Sequence, residues 1–407
     1  MWRKPVVSAL PMVVATIYLT VPVDFVFVST SILRAIYLLS AATLLLAILL
    51  AFRSLGSCSS WIVLFLICLA VLPLASAGRE GGIGGMYICL PVIVGILIAQ
   101  NFTPRLAVLL LSLAAIVLLT ESLTGVHWYS AMFGEFRFPS YASTGNFRAR
   151  GVIGQPVPAA FLSVAISGAC IYYFSKRREW IWVVVCACAW MVSLVSTGTR
   201  SALMVSFIFV GLILLAFRSA VYRHILAVTL GITLFAWFLV TVSLNLRWAA
   251  ASRLFEYGSL AESESGRVRS NGFAVVRSLP DACGFSCEIF GHGGRSLEQA
   301  LIDNPAQYGL STVDNQFVSV YWDFGAIGVV SILALFCVAS FTLTRGGHPL
   351  EEFGAAILVI TIISGIFFDA IYTRPLGVTL GVGIGLMVMH RNSAPMGAAK
   401  SSRRAFH

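Results

Sequence analysis

One feature of this sequence dictates its solvent: long apolar runs, nearly free of charge, whose length matches a lipid bilayer. A helix needs about 20 apolar residues to cross roughly 30 Å of hydrocarbon. Runs of that order are read at residues 5–28, 32–52, 61–77, 86–100, 106–124, 152–174, 180–197, 201–217, 225–244, 316–343, 353–371 and 375–390, twelve in all. Barrel strands would alternate in polarity over about 10 residues, and these runs do not. With 58% apolar and 11% charged residues and a mean hydropathy of +0.91, the chain has no room for a large soluble catalytic domain. The expectation is an all-α integral membrane protein: a polytopic domain over 1–390 and a basic cytoplasmic tail over 391–407. The first run is read as a retained span, not a cleaved leader.

Charge sets the orientation. With both termini inside, the inner side holds Arg3, Lys4, Arg53, Arg105, Lys176, Arg177, Arg178, Arg218, Arg223, Arg345, Arg391, Lys400, Arg403 and Arg404, against Arg34, Arg79, Arg200 and Arg374 in the short outer loops. That is 14 basic residues to 4, as the positive-inside rule requires. The net charge of +10 is divided between both faces and is not a nucleic-acid footprint. Two outer segments break the pattern of short loops, residues 125–150 and 245–315, the latter with the largest share of acidic side chains. Function is expected there, since binding and catalytic groups concentrate on such connections.

All three lysines lie inside, and the 13 outer basic residues are all arginine. A guanidinium grips phosphate in bidentate fashion and keeps its charge at any physiological pH, which suits a polyanionic head group at the membrane surface. A GC-rich coding sequence gives the same excess, so position has to discriminate. Arg200 ends the small-residue turn Ser196-Thr197-Gly198-Thr199-Arg200-Ser201. Arg148 and Arg150 precede Gly151-Val152-Ile153-Gly154-Gln155-Pro156, where glycine and proline break the entry of a span. Broken helix ends in membranes line sites or cavities.

Asp24, Glu121, Asp323 and Asp369 fall near the outer ends of spans. Facing lipid they would be costly, so they are expected to turn inward and define a polar cavity open to the outside. Of the histidines, His127 and His292 lie on the outer side, and His292 sits in the glycine-rich turn Gly291-His292-Gly293-Gly294-Arg295 as a possible general base. No HExxH, paired metal-ligand spacing, GxSxG elbow or Walker loop occurs, so no metal and no cofactor is expected. Six cysteines fall in spans and Cys58 in an inner loop, read as small buried apolar residues. Cys283 and Cys287 are the outer pair and are compatible with a local disulfide in an oxidising compartment.

Several stretches together resemble the bacterial O-antigen ligase and polymerase superfamily, multispanning enzymes of surface polysaccharide assembly. Arg150-Gly151-Val152-Ile153-Gly154-Gln155-Pro156 is similar to its glycine- and proline-broken entry into a span, and Val195 to Ala202 to its Ser-x-Ser-Arg-x-Ala turn, with Arg200 matching the arginine. Arg267, with Ala274 seven residues on, resembles its Arg-x-x-x-Trp-x-x-Ala helix, with Asn271 in place of tryptophan and Arg269 as the neighbour able to take the arginine's role. Gly291-His292-Gly293 is similar to its Gly-x-Gly turn. Asp314-Asn315 followed by Asp323-Phe324-Gly325-Ala326-Ile327-Gly328 resembles its His-Asn and Glu-x-Gly-x-x-Gly ending. Asp314 in place of histidine favours the Wzy-type polymerase branch over the ligases.

The resemblance implies a GT-C-like bundle in the bacterial inner membrane with its active site facing the periplasm. It implies a metal-independent, inverting transfer of glycan from a polyprenyl-diphosphate-linked oligosaccharide to a hydroxyl of a second lipid-linked unit, with membrane lipid around the site and flippase and chain-length-regulating proteins as candidate partners. Arg150, Arg200, Arg267 and Arg269 would hold the diphosphate, and Asp314 or else His292 would activate the hydroxyl. The alternatives are an O-antigen ligase of the same superfamily and, from another class, a transporter or flippase of lipid-linked glycan. Twelve spans with both termini inside is a common carrier layout, although a carrier should show two similar halves.

Overall fold

The computed structural model describes residues 88–128, 147–216, 284–294, 296–303, 315–345, 347–370 and 372–391. The runs expected at 5–28, 32–52, 61–77 and 225–244 lie outside these residues, as do Asp24, Arg267, Arg269, Cys283, Asp314 and the tail.

The described residues are helical, with no strand among them. Helix α1 covers Ile88–Ile98 and runs into a 3-10 turn at Ala99–Asn101. Helix α2 is Pro104–Thr124, α3 Pro156–Arg177, α4 Trp180–Thr197 and α5 Arg200–Ala216. Two short helices follow, α6 at Phe285–Phe290 and α7 at Ser296–Asp303. Helix α8 is Gln316–Arg345, α9 Pro349–Ser364 and α10 Arg374–Arg391. Four of these, α2, α3, α4 and α8, are long and apolar enough to cross a membrane.

Starts and stops follow local chemistry. Thr103 Oγ1 accepts the Leu106 N–H at 3.2 Å and Pro104 opens α2, where a missing N–H costs nothing. Pro156 and Pro349 open α3 and α9 in the same way. Asn315 Oδ1 accepts the Phe317 N–H at 3.0 Å and so caps α8.

Two expected spans differ from the observed helices. The span expected over 353–371 begins earlier and ends at Ser364, leaving an irregular stretch that carries Asp369 and Tyr372. The span expected over 316–343 is not one continuous helix, because Gly325 has φ 64° and ψ −162°, a region essentially restricted to glycine. Its Cα faces the α6 backbone so closely that a Cβ would lie 2.3 Å from the Ile289 carbonyl oxygen.

α3 is the most buried of the long helices and packs on α2, α4, α5 and α9. Its inner faces carry Ala160, Phe161, Ala165, Gly168 and Ala169, all but one of them small. Small residues matter because lipid tails are as apolar as leucine, so helices associate through close backbone approach. The clearest case joins α1 to α10: a Cβ on Gly95 would fall 2.0 Å from the Val378 carbonyl oxygen, and one on Gly381 would fall 1.9 Å from that of Val92.

The helices alternate in direction, so the bundle has two ends. One holds the α3–α4 turn and the start of α9, where Lys176 Nζ lies 2.6 Å from Glu352 Oε2 and the Gly347 N–H donates to Glu352 Oε1 at 2.9 Å. Arg105 pairs with Glu179 at 3.8 Å at this same end. The other end gathers the close of α2, the starts of α3, α5, α8 and α10, and, of the residues expected to be functional, Arg150, Arg200 and His292. An apolar groove of about 200 Å³ runs between α2, α3 and α10, lined by Leu106, Leu110, Leu162, Ile166 and Val378 and reaching Pro375 at the second end.

Candidate functional site

The first half of the site is built around residues 148–151. Gly151–Ile153 forms a 3-10 turn, Gly154 has φ 80° and Pro156 starts α3, so the entry to this helix is broken as expected. The Ala149 N–H donates to the Ser196 carbonyl at 2.9 Å. Arg148 Nε donates to the Thr197 carbonyl at 2.7 Å, and its Nη2 to Thr199 Oγ1 at 3.0 Å. The segment is thereby fastened to the α4–α5 turn that carries Arg200. Arg148 is buried and holds this turn, whereas Arg150 and Arg200 are half-buried.

From the opposite side comes Glu121, in the last turn of α2. It is fully buried, and its Oε2 accepts the N–H of Arg150 at 2.7 Å and of Gly151 at 2.8 Å. His127 Nδ1 lies 3.8 Å from the same oxygen, too far for a hydrogen bond but within ion-pair range, and its ring stacks on Phe147 with centroids 4.4 Å apart. Glu121 Oε1 is buried with no hydrogen-bond partner among the described residues.

The second half forms where α6 meets the break in α8. The N–H of His292 donates to the Trp322 carbonyl at 2.9 Å and that of Gly293 to the Asp323 carbonyl at 3.0 Å. The broken helix and the glycine turn thus satisfy each other's backbone, as buried polar backbone requires. The His292 ring lies flat on Trp322, centroids 3.9 Å apart and planes within 5°. Its Nδ1 is 3.2 Å from the Trp322 carbonyl oxygen. With the proton on Nδ1 pointing there, Nε2 carries the lone pair that a base needs. Trp322 Nε1 is a buried donor with no acceptor among the described residues.

Asp323 is fully buried and spans three elements. Its Oδ1 accepts from Ser296 Oγ at 3.0 Å and the Leu297 N–H at 3.1 Å, and its Oδ2 from Tyr372 OH at 2.6 Å. Asp369 Oδ1 accepts from Ser319 Oγ at 2.9 Å. Glu121 and Asp323 are buried as expected, and Asp369 is half-buried. Each of Glu121, Asp323 and Asp369 accepts at least one hydrogen bond from the protein.

Both halves lie at the same end of the bundle, and the Phe161 ring of α3 stacks on Phe368 after α9 at 5.8 Å between them. The structure therefore brings Arg150 together with the Arg200 turn, and His292 together with the Asp323–Gly325 break. Asp314, Arg267 and Arg269 lie outside the described residues, although Asp314 directly precedes the Asn315 cap of α8.

Sequence reasoning missed His127 as a neighbour of Glu121, for which nothing in its surroundings gave a signal, and Tyr372 as the partner of Asp323. The signal for Glu121 was available, a carboxylate in an otherwise apolar helix. Among the cysteines, Cys287 is disulfide-bonded, while Cys188 and Cys337, expected to be buried, are exposed on the outside of the bundle. Among the described residues no three His, Cys, Asp or Glu side chains come together as a metal site.

Compared with known proteins, the chain matches no family model and no curated protein sequence.

Proposed function

We propose that this protein is an inner-membrane polymerase of bacterial surface polysaccharide. On this reading it transfers glycan from a polyprenyl-diphosphate donor to a hydroxyl of a lipid-linked repeat unit on the periplasmic side. The observation that carries the reading is the pairwise meeting of four separate stretches at one end of the bundle. Arg148 and Ala149, which lead into the broken entry at Arg150–Pro156, are bonded to the turn bearing Arg200. Gly291-His292-Gly293 lies on the break at Asp323–Gly325. These are the stretches whose resemblance to the ligase and polymerase superfamily the sequence carries.

A diphosphate is a good leaving group, so its departure needs positive charge more than a proton donor. Arg150 and Arg200, with Arg267 or Arg269 from the large outer segment, would supply that charge as it develops. The acceptor hydroxyl needs a base within hydrogen-bond reach, the role assigned to Asp314 first and His292 second. Attack opposite the diphosphate inverts the anomeric carbon. The apolar groove between α2, α3 and α10 is the place we assign to the first isoprene units of the donor's tail.

The test is the glycolipid profile of a clean deletion strain complemented with the wild type or with Arg200→Ala. Polymerase activity predicts prenyl-linked single units accumulating in the deletion and in Arg200→Ala, with polymer restored by the wild type. Long prenyl-linked chains would instead make the protein a ligase, and lipid-linked units confined to the cytoplasmic leaflet would make it a transporter.

A further inference from the structure

Glu121 is misplaced for helix stability. It stands in the last turn of α2, where a negative side chain opposes the helix dipole, and it is fully buried in an apolar bundle. What it gains there is two backbone donors: the N–H groups of Arg150 and Gly151 converge on the single oxygen Oε2 at 2.7 and 2.8 Å. The other edge of the same short segment is held by the α4–α5 turn through Ala149 N–H and the guanidinium of Arg148. Residues 148–151 are therefore gripped from two sides, and the turn gripping them leads directly into Arg200.

We infer that Glu121 is a positioning residue. Its carboxylate oxygen fixes the backbone of Arg148–Gly151 so that the Arg150 and Arg200 side chains address one anionic group; this rests on the diphosphate-binding reading above. His127, against the same oxygen at 3.8 Å and stacked on Phe147, closes the clamp on the side facing residues 125–128. Two N–H groups converging on one oxygen require an acceptor at that point. A carboxamide oxygen provides it without a charge, whereas a carboxylate one methylene shorter keeps the charge and withdraws the acceptor.

The experiment compares wild type, Glu121→Gln and Glu121→Asp as full-length protein in phospholipid nanodiscs. One arm measures amide hydrogen exchange over residues 147–154, and the other measures turnover of a prenyl-diphosphate-linked repeat unit. Glu121→Asp is expected to speed exchange at Arg150 and Gly151 about tenfold, the equivalent of one charge-assisted hydrogen bond. It should also lower kcat by about the same factor, while Glu121→Gln recovers most of both. Unchanged exchange in Glu121→Asp overturns the clamp. Accelerated exchange with normal turnover overturns the positioning role. Glu121→Gln protected from exchange but inactive means that Glu121 acts through its charge, and the inference fails. Wild type that forms no glycosidic bond defeats the polymerase reading alone, because the exchange arm still decides whether Glu121 holds the segment.

Discussion

Gly291 and Gly325 interlock: a Cβ on Gly291 would lie 2.2 Å from the Asp323 carbonyl oxygen, and one on Gly325 would lie 2.3 Å from that of Ile289. Each backbone occupies the space that a side chain on the other would need. The contact lets the His292 turn reach the ends of the Trp322 and Asp323 peptides. It also joins two stretches far apart in the chain into one half of the site.

Gly291→Ala and Gly325→Ala should each destabilise the protein by at least about 3 kcal/mol, combining a conformation closed to other residues with backbone overlap. Gly125→Ala is the control. Its φ is also positive, at 67°, but an added Cβ would meet nothing within 4 Å, so its cost should stay near 1 kcal/mol. Thermal unfolding of the detergent-solubilised protein ranks the three.

Tyr372→Phe removes the 2.6 Å bond to Asp323 Oδ2 and leaves a fully buried carboxylate short of a donor. A cost of about 2 kcal/mol is expected. Because Asp323 also binds Ser296 and Leu297, limited proteolysis should cut faster between α6 and α7 in this variant than in the wild type.

At the opposite end, Lys176→Ala strands the buried Glu352. Full burial of such a pair would make the loss about 3–5 kcal/mol; Lys176 is partly exposed, so about 2 kcal/mol is expected. The double variant Lys176→Met with Glu352→Leu should regain most of that stability, because replacing both partners leaves no charge uncompensated. A double-mutant cycle on Tm measures the coupling.

Arg150→Ala and Arg200→Ala should leave membrane levels of the protein near normal and reduce polymer formation by tenfold or more each, the worth of about 1.5–3 kcal/mol per charge-assisted contact. Arg148→Ala should behave differently. Its guanidinium is bonded to Thr197 and Thr199, so the variant should lower protein stability along with activity. Immunoblots of the membrane fraction beside glycolipid gels separate the two patterns.

Helix limits were legible wherever local chemistry sets them. α4 has the expected bounds, Trp180 to Thr197, because charged residues precede it and the Gly198 turn follows. The broken entry at Gly151–Pro156 was legible for the same reason. The break at Gly325 was not, since a glycine inside an apolar run is ordinary in membrane helices and only the docked α6 turn makes its conformation necessary. Arg148 and Arg150 looked equivalent as neighbours in sequence. They differ because the chain leaves the extended path at Arg150, which has φ −109° and ψ −26°, so the two side chains do not share a face as i and i+2 of a strand would, and the Arg148 guanidinium takes the Thr197 turn. The acids were expected to face inward, but not which donors would take them up, because Tyr372, Ser296 and the Arg150 N–H arrive from distant parts of the chain.

The contact of α1 with α10 at Gly95 and Gly381 also bears on how the protein is made. α10 leaves the ribosome after every other described helix, yet its backbone covers that of α1, which leaves before all of them. Throughout insertion α1 must wait with a strip of main chain whose partner among the described helices has not yet been made. Long-range pairings of this kind form late. A chain halted before Arg374 would therefore keep every other described helix and lack the piece that seals α1, a natural mark for membrane quality control.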